Sequence, residues 1–365
     1  MMPITDEKFM QRCLLLAQKG EGKVSPNPLV GAVLVKDGCI ISEGYHEKFG
    51  SPHAEANALV RAGARAKGAT LYVSLEPCSH SGGGKKTPPC VPLIIRAGVS
   101  RVVVAAKDRN PKVSGRGVAW LRAAGIKVDV GMFSDEAERQ NEAFFKSITT
   151  GMPFVCIKMA QTRDGKIGVR GKRNVRISGS AFDSYSQRLR NRYDGILVGI
   201  GTVLADNPRL TCRARNGRNP LRIILDSHLQ MPLKAKVLLN LGKDRLLIFT
   251  SRRHDAKKRK ALEKLGAKVI APGKQRIPIR ALLVMLPKLG VHSVLVEGGA
   301  EVAGAFIRAR LADKLVLCIS KKKIAASGAV RSPITNKIIR TLYQKKVSQM
   351  GSDTVIEGYF ARQPK

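Results

Sequence analysis

The chain has 365 residues, about twice the usual length of one domain, so the sequence predicts two domains. Hydrophobic residues make up 44% and charged residues 25%, a globular composition that excludes a disordered chain, a collagen and a long coiled coil. Lys and Arg outnumber Asp and Glu by 65 to 27, and the resulting net charge of +38 favours anionic ligands such as phosphorylated metabolites, dinucleotides or nucleic acid.

Residues 1–150 alternate helical and strand patterns, which is typical of an α/β domain. Two apolar runs, 29–35 and 39–41, are joined through Asp37-Gly38 and predict a β-hairpin. The acidic residues after Ser134 predict an N-capped helix that leads out of the domain. The other predicted elements are helices over 6–19, 54–66 and 90–97 and strands over 70–75, 101–106 and 127–130. We place the domain boundary within 149–153.

Residues 151–365 repeat the alternation and carry most of the charge, with 44 basic and 13 acidic side chains against 21 and 14 in residues 1–150. Short β-rich runs separated by helical stretches predict a largely parallel sheet covered on both faces. The densest basic run, 252–260, is interpreted as a solvated helix face. The predicted strands lie over 154–159, 196–198, 221–225, 246–249 and 293–296, and the helices over 181–192, 254–265 and 280–289.

The sharpest motif is His53-Ala54-Glu55, followed by Pro77-Cys78 and, after eleven intervening residues, Cys90. One imidazole and two thiolates leave the fourth tetrahedral position of Zn²⁺ open, which is the arrangement of a catalytic site. Zinc lowers the pKa of bound water from about 15.7 to about 7. Glu55 is poorly placed as a further ligand and suits a proton shuttle. This pattern is that of the zinc deaminases, in which water attacks an amine-bearing ring carbon.

Two other interpretations of the motif stay open. A closed structural zinc site would need a fourth ligand, for which His80 is the obvious candidate. A protein of that kind would be stabilised by zinc and would bind a partner without catalysis. Two core cysteines at this spacing, or a His-x-Glu, would each be common by chance. All three elements in order favour a metal site.

Further motifs extend this pattern, namely Ser25-Pro26-Asn27-Pro28, Gly44-Tyr45-His46, Glu76-Pro77-Cys78-Ser79-His80, Thr87-Pro88-Pro89-Cys90 and Gly115-Arg116-Gly117. With these motifs the chain resembles the bifunctional riboflavin-biosynthesis deaminase-reductase family. The resemblance implies a cytidine-deaminase-like three-layer α/β domain in residues 1–150, which hydrolyses the ring amine of a phosphoribosylated diaminopyrimidine. It also implies that Asn27, His46, His80 and Lys86 line the substrate pocket.

In the second half, a predicted strand ends at Glu297-Gly298-Gly299 and a helix follows. Glycines at a helix start let a phosphate approach unpaired backbone amides, so this turn is a candidate phosphate cradle. A tight strand-to-helix turn without a ligand is the plainer alternative, and the Rossmann fingerprint is missing.

The resemblance continues here and implies a dihydrofolate-reductase-like α/β domain over residues 151–365. This domain would reduce the ribosyl group of the deaminated product to a ribityl chain with NADPH as hydride donor. By resemblance, the cofactor residues are Ala160, Arg176, Thr202, Asp206, Ser227, Gly299, Ala300, Glu301, Val302, Ala303, Gly304 and Ala305. The substrate residues are Asn174, Arg190, Leu210, Arg213 and Glu297, of which the two arginines are suited to a phosphate.

The chain departs from the family pattern at three places. The eleven residues between the two cysteines replace the usual eight, and Gly82-Gly83-Gly84 marks the insertion. Arg176 stands where the family has Trp, and a guanidinium can also stack on a flat ligand. The segment 320–323 lacks the usual Ala-Pro and Gly-Gly pattern.

The sequence also indicates compartment and partners. The longest uncharged stretch, Val24 to Val35, has 12 residues, whereas a membrane-spanning helix needs about 18. Seven cysteines, an odd number, and no secretory pattern favour a reducing compartment. We therefore expect a cytoplasmic homo-oligomer that holds one catalytic zinc, uses NADPH and does not contact membranes.

The main alternative is a zinc deaminase of nucleic acid whose second half is a basic binding domain. The net charge supports it. An aromatic content of only 5% argues against it, because proteins that bind single strands usually stack bases on aromatic side chains.

Overall fold

The computed structural model describes residues 5–80, 87–111, 113–172, 175–242 and 245–361. The chain divides into two compact units, Met1–Gly151 and Met152–Lys365. Each unit contains its own hydrophobic core. Lys86, Asn174 and the Gly82-Gly83-Gly84 insertion lie outside the described residues. No helix in the described ranges is both long and apolar enough to cross a membrane.

The first unit is built around a five-stranded sheet with the order β2-β1-β3-β4-β5. Its strands are β1 (Gly31–Lys36), β2 (Cys39–Tyr45), β3 (Thr70–Leu75), β4 (Arg101–Ala106) and β5 (Lys127–Val130). Its helices are α1 (Asp6–Gln18), α2 (Ala54–Ala62), α3 (Cys90–Arg96), α4 (Arg116–Ala123), α5 (Ser134–Gln140) and α6 (Glu142–Thr150), with a short 3-10 helix at Gly63–Ala66.

The predicted hairpin is confirmed, because β1 and β2 pair antiparallel with Lys36 opposite Cys39. Both turn residues, Asp37 and Gly38, have positive φ angles of 50° and 72°, as a two-residue hairpin turn requires. Strand β1 also pairs antiparallel with β3, whereas β3, β4 and β5 run parallel. The carboxyl ends of β3 and β4 therefore meet at one edge of the sheet.

Helix α1 packs its apolar stripe on this sheet at very close range. A Cβ atom on Gly31 would lie only 2.0 Å from the carbonyl oxygen of Cys13, so β1 requires glycine at this point. Helix α2 packs on the β1–β2 hairpin in the same way, because a Cβ on Gly44 would lie 2.3 Å from the carbonyl oxygen of Ala54. This contact fixes the start of α2, where the His-x-Glu motif begins.

The second unit contains a nine-stranded sheet with the order β11-β10-β9-β8-β12-β6-β13-β16-β15 and a separate pair, β14-β7. Its strands are β6 (Phe154–Thr162), β7 (Lys166–Val169), β8 (Gly195–Gly199), β9 (Leu221–Leu225), β10 (Leu246–Ser251), β11 (Ala267–Gly273), β12 (Ser293–Val296), β13 (Lys314–Ser320), β14 (Ala329–Arg331), β15 (Tyr343–Met350) and β16 (Asp353–Tyr359). Its helices are α7 (Ser180–Arg192), α8 (Ile200–Asp206), α9 (Ala256–Lys264), α10 (Ile279–Met285), α11 (Ala300–Arg308) and α12 (Asn336–Arg340), with 3-10 helices at Lys236–Leu238 and Pro287–Leu289.

The predicted parallel sheet is confirmed for β11 through β13, and successive residues of its strands enter two different cores. In β8, Leu197 belongs to one core, while Ile196 and Val198 belong to the other. Alternation of this kind places the two cores on opposite faces of the sheet. Antiparallel β16 and β15 extend the sheet beyond β13 and were not among the predicted strands.

Candidate active sites

Three elements of the first unit bring the predicted zinc ligands together. His53 directly precedes α2, Cys78 follows β3, and Cys90 is the first residue of α3. Both Sγ atoms lie 3.4 Å from His53 Nδ1, and all three ligand atoms lie within 4.8 Å of one another. One imidazole nitrogen and two sulfurs form a donor set that zinc prefers. The residues present therefore fit the metal.

The arrangement is that of an open site. Across the part of the chain that the structure describes, no fourth His, Cys, Asp or Glu joins this cluster. His80, the candidate for a closed site, is half-buried and is not among its members. The second nitrogen of His53, Nε2, lies 3.0 Å from the hydroxyl of Thr87, which fixes the ring with Nδ1 toward the sulfurs.

Glu55 lies in the first turn of α2 and is 3% exposed. Burial, and secondarily the charge of Cys78, raise the pKa of this carboxyl above its ordinary value. Its carboxylate hydrogen-bonds the Cys90 side chain but is not part of the ligand cluster. A buried carboxyl beside the sulfurs is suited to accept and return a proton.

Glu76 anchors the segment that carries Cys78. Its carboxylate is 3% exposed and accepts backbone N–H groups from Asp108 at 3.2 Å, Gly115 at 2.9 Å and Val118 at 3.2 Å. Helix α4 has no capping side chain of its own. Glu76, which directly follows β3, caps it instead. This role was not predicted from the sequence, although Glu76 belongs to a quoted motif.

Gly117 completes this contact. A Cβ atom at Gly117 would lie 2.2 Å from the carbonyl oxygen of Pro77, the residue before the metal ligand Cys78. Strand end and helix start therefore touch through their backbones. The position of Cys78 is fixed by this contact and by the Cys90 backbone N–H, which lies 3.3 Å from Cys78 Sγ.

Asn27 and His46 meet next to the zinc cluster. His46 Nδ1 lies 3.1 Å from the carbonyl oxygen of Pro52, so Nδ1 carries the proton, and Nε2 accepts the side-chain amide of Asn27 at 3.0 Å. The His46 ring is 2% exposed, burial lowers its pKa, and it lies edge-on to His53 with 5.3 Å between ring centroids. His46 thus orients Asn27, whose side-chain oxygen is left for a ligand.

In the second unit, Arg190 and Glu297 meet although they are 107 residues apart. Arg190 donates from Nε to Oε1 at 2.9 Å and from its terminal nitrogen to Oε2 at 2.8 Å. Lys158 Nζ lies 3.6 Å from the same carboxylate. Burial alone would raise the pKa of Glu297, but the charges of Lys158 and Arg190 outweigh it and lower the pKa to about 2. Lys158 was not among the predicted site residues.

The candidate phosphate cradle has the predicted geometry. Gly299 directly precedes the nine-residue helix α11 and supplies no capping side chain. A Cβ on Gly298 would lie 2.8 Å from the Cβ of Val302, so glycine is required there. A Cβ on Gly299 would lie 4.0 Å from the hydroxyl of Thr202, which places this predicted cofactor residue at the cradle. The open helix start and the glycines fit the pyrophosphate of NADPH.

The other predicted site residues of the second unit differ in their burial and in their contacts. Arg176 is paired with Asp183 at 3.0 Å, and the Lys322 ammonium donates to the Arg176 carbonyl at 2.9 Å, so two departures from the family pattern contact each other. Leu210 packs in the core, and Arg213 is exposed. Ala160 on β6, Ser227 after β9, Ala300, Val302 and Ala305 are half-buried, Asp206 and Glu301 are exposed, and Ala303 and Gly304 are buried.

Comparisons with known proteins divide the chain in the same way. Residues 3–106 match the cytidine and deoxycytidylate deaminase zinc-binding region, and residues 153–356 match the RibD C-terminal domain. The riboflavin biosynthesis protein RibD of Aquifex aeolicus (strain VF5) is 41% identical over 354 residues, which cover 96% of this chain and 97% of that protein. The RibD of Escherichia coli (strain K12) is 38% identical over 336 residues, covering 88% and 89%.

Solved structures agree over nearly the whole length. Acinetobacter baumannii RibD, form 1, superposes with a TM-score of 0.85 at 34% identity and covers 98% of this chain and 99% of its own. A Thermotoga maritima protein superposes with a TM-score of 0.83 at 37% identity, covering 97% and 98%. It is named diaminohydroxyphosphoribosylaminopyrimidine deaminase/5-amino-6-(5-phosphoribosylamino)uracil reductase.

A zinc-dependent deaminase followed by an NADPH-dependent reductase is the class of enzyme that these matches and the two folds define. The chain belongs to the RibD family of bifunctional enzymes of riboflavin biosynthesis. The predicted fold class is confirmed. The alternative of a nucleic-acid deaminase with a basic binding domain is not supported by these relatives.

Proposed function

We propose that residues 1–150 remove the ring amine of a phosphoribosylated diaminopyrimidine, and that residues 151–365 then reduce its ribosyl group to a ribityl chain. The observation that carries this proposal is the open cluster of His53, Cys78 and Cys90 beside the buried Glu55. The reactions named for the Thermotoga maritima relative support the choice of substrate.

His53, Cys78 and Cys90 would hold the zinc, which as a Lewis acid lowers the pKa of the attacking water. Glu55 takes a proton from that water and passes it to the departing ring nitrogen. Water and the ring amine are thereby converted into a ring carbonyl and ammonia. Burial raises the pKa of the Glu55 carboxyl above its ordinary value, which favours the protonated form that returns the proton.

Substrate recognition in this half falls to Asn27, His46, His80 and Lys86. His46 acts through Asn27, because both of its ring nitrogens already have partners. Asn27 then presents its side-chain oxygen to an N–H or amino group of the pyrimidine. His80 and Lys86 remain substrate residues of the proposal on the family resemblance alone.

In the reductase half, bound NADPH would supply a hydride that forms a C–H bond at the first carbon of the ribosyl group, while the bond from this carbon to the ring oxygen breaks and that oxygen takes up a proton, which gives the ribityl chain. Glu297 and Lys158, whose side chains are 9% and 17% exposed, are the polar groups proposed to contact that end of the substrate. Arg190 holds Glu297 in place through two hydrogen bonds. Arg213 is exposed and available for the substrate phosphate. Asn174 and Leu210 complete the proposed set.

The cofactor would lie against Ala160, Arg176, Thr202, Asp206, Ser227 and the start of α11. Gly299 to Val302 offer the open helix end, whereas Ala303 and Gly304 are buried. We propose that these two residues support the start of α11 from the protein interior, and that the Ala303 methyl group does not touch the ligand.

The test is an assay of the purified chain, loaded with zinc, on the phosphoribosyl diaminopyrimidine with and without NADPH. Ammonia release in both samples and NADPH oxidation in one are expected. Ammonia release without any NADPH oxidation would remove the reductase half of the proposal, and no ammonia release would remove the deaminase half.

We also propose that the enzyme is a cytoplasmic homo-oligomer. No disulfide bond joins any two of the seven cysteines, all of which lie within the described residues, and this supports a reducing compartment. Light scattering of the purified chain and fractionation of its cells would test the two statements. A monomeric mass would contradict the first, and an extracytoplasmic fraction the second.

A further inference from the structure

We infer that Arg252 and Arg253 form a binding subsite for a phosphomonoester on a ribose, namely the 2′-phosphate that distinguishes NADPH from NADH. The inference rests on the proposed reductase function and deepens it. It also gives a function to the basic run that the sequence analysis interpreted only as a solvated surface. Four observations carry it.

The first is the order of the strands. Strands β12, β8, β9 and β10 are adjacent and parallel, so their carboxyl ends follow one another along one edge of the sheet. Gly299 follows the first, Thr202 the second and Ser227 the third, and these are three of the proposed cofactor residues. Neighbouring strands lie about 4.8 Å apart, so one more step of that size leads to Arg252, which follows β10.

The second observation gives the direction of the cofactor. The polar groups proposed to contact the reacting carbon lie on the other side, Lys158 on β6 and Glu297 directly after β12. The hydride-donating ring must be near them. The adenosine end of an extended dinucleotide therefore points from β12 toward β9 and β10, where the basic run begins.

The third observation is a rigid support. Thr250 and Ser251, at the end of β10, are fully buried. The carbonyl oxygen of Ser227 accepts the Ser251 hydroxyl at 2.8 Å, the Ser251 backbone N–H at 3.2 Å and the Thr250 hydroxyl at 3.2 Å. On the other side, the backbone N–H of Arg252 donates to the Gly273 carbonyl at 2.9 Å. The backbone from which both arginines extend is thus fixed to its two neighbouring strands.

The fourth observation concerns charge. Both arginine side chains are exposed, and within the described residues neither forms an ion pair with a carboxylate. Arg259 in the same run differs, because it is paired with Glu263 at 2.9 Å. A guanidinium can bind two phosphate oxygens at once, so two adjacent ones suit a doubly charged phosphate.

The experiment measures affinity by titration calorimetry, with 2′,5′-ADP and 5′-AMP as probes and then NADP⁺ and NAD⁺. The variant Arg252→Gln/Arg253→Gln is compared with Lys257→Ala/Lys260→Ala, which removes the same charge from exposed positions of the same run. Urea unfolding of the second unit monitors whether each variant is intact.

The arginine variant should bind 2′,5′-ADP and NADP⁺ about 10- to 100-fold more weakly while its affinity for 5′-AMP and NAD⁺ stays the same. The lysine variant should keep the preference for the 2′-phosphate. An unchanged preference in the arginine variant, or an equal loss in both variants, would overturn the subsite alone. Failure of the unaltered chain to bind NADP⁺ at all would instead overturn the proposed reductase function.

Discussion

The two candidate catalytic centres of this chain are assembled in opposite ways. In the first unit, His53, Cys78 and Cys90 are positioned by backbone contacts at strand ends and helix starts, and hydrogen bonds of Glu76 and Thr87 support them. In the second unit, the centre depends on charge pairing between residues that are far apart in the sequence. The first centre should therefore respond to changes of hydrogen bonding, and the second to changes of charge and pH.

The largest expected effect is that of Glu55→Gln. An amide cannot accept the proton from water, so deamination should fall by about 10²- to 10⁴-fold. Zinc content should not change, because Glu55 is not one of the clustered ligands. NADPH oxidation on the deaminated substrate is the matched control and should be unaffected. A fully active variant would refute the proton shuttle.

Glu297→Gln tests the charged centre. Arg190 and Lys158 would lose the buried carboxylate that pairs with them, so the second unit should lose about 3–5 kcal/mol of unfolding free energy together with its reductase activity. Urea unfolding of the variant, with deaminase activity as the control, measures this. Unaltered stability would show that the pairing contributes nothing.

The same residue predicts a pH dependence. The pKa of Glu297 is about 2 in the folded chain against an ordinary 4.5, so its stabilising contribution is complete above about pH 4.5 and is lost as the pH falls toward 2. The free energy of unfolding of the second unit should be measured from pH 6 downward. In this window it should fall more steeply with decreasing pH for the unaltered chain than for Glu297→Gln. An equal pH dependence of the unfolding free energy in the two proteins would contradict the lowered pKa of Glu297.

Glu76→Gln should have a somewhat smaller effect. Whichever way the amide turns, its NH₂ group faces a backbone N–H, so at least one buried hydrogen bond is lost at a cost of about 1–3 kcal/mol. Zinc affinity, measured by competition with a chelator, should weaken because Cys78 follows this anchor. The control is Asp226→Asn, since Asp226 accepts two backbone N–H groups in the second unit. Equal zinc affinity in both variants would exclude the anchoring role.

Thr87→Val is expected to act most locally. It keeps the shape of the side chain and removes the hydroxyl at His53 Nε2, so zinc affinity should fall about 10-fold or more. Thr150→Val, which removes a hydroxyl bonded to a helix carbonyl in the same unit, should leave zinc affinity unchanged. If both variants bind zinc like the parent, Thr87 does not orient His53.

The sequence predicted that His53, Cys78 and Cys90 lie together, because each belongs to a short motif whose residue types have few other uses. It could not predict that Glu297, Arg190 and Lys158 meet, since the β-strands that bring them together are distant along the chain. The role of Thr87 was also missed, because a hydroxyl next to Pro-Pro-Cys has many ordinary explanations.

Strand β15 was also missed, for a clear physical reason. It is exposed along most of its length and carries Lys345 and Lys346, so it lacks the apolar run by which strands such as β8 and β10 were predicted. The Leu210 side chain packs in the core and its φ angle is +54°, so the proposed contact of this residue with the substrate would come from its backbone.

The close approach of Gly117 to the Pro77 carbonyl has a genetic consequence. Even alanine adds an atom where only 2.2 Å is available, and relief would have to come from moving the backbone beside Cys78. In a saturation screen for growth without added vitamin, position 117 should tolerate no replacement, as if it were a catalytic residue. Intolerance to substitution in such a screen therefore identifies residues that hold the scaffold of an enzyme in place as clearly as it identifies residues that carry out its chemistry.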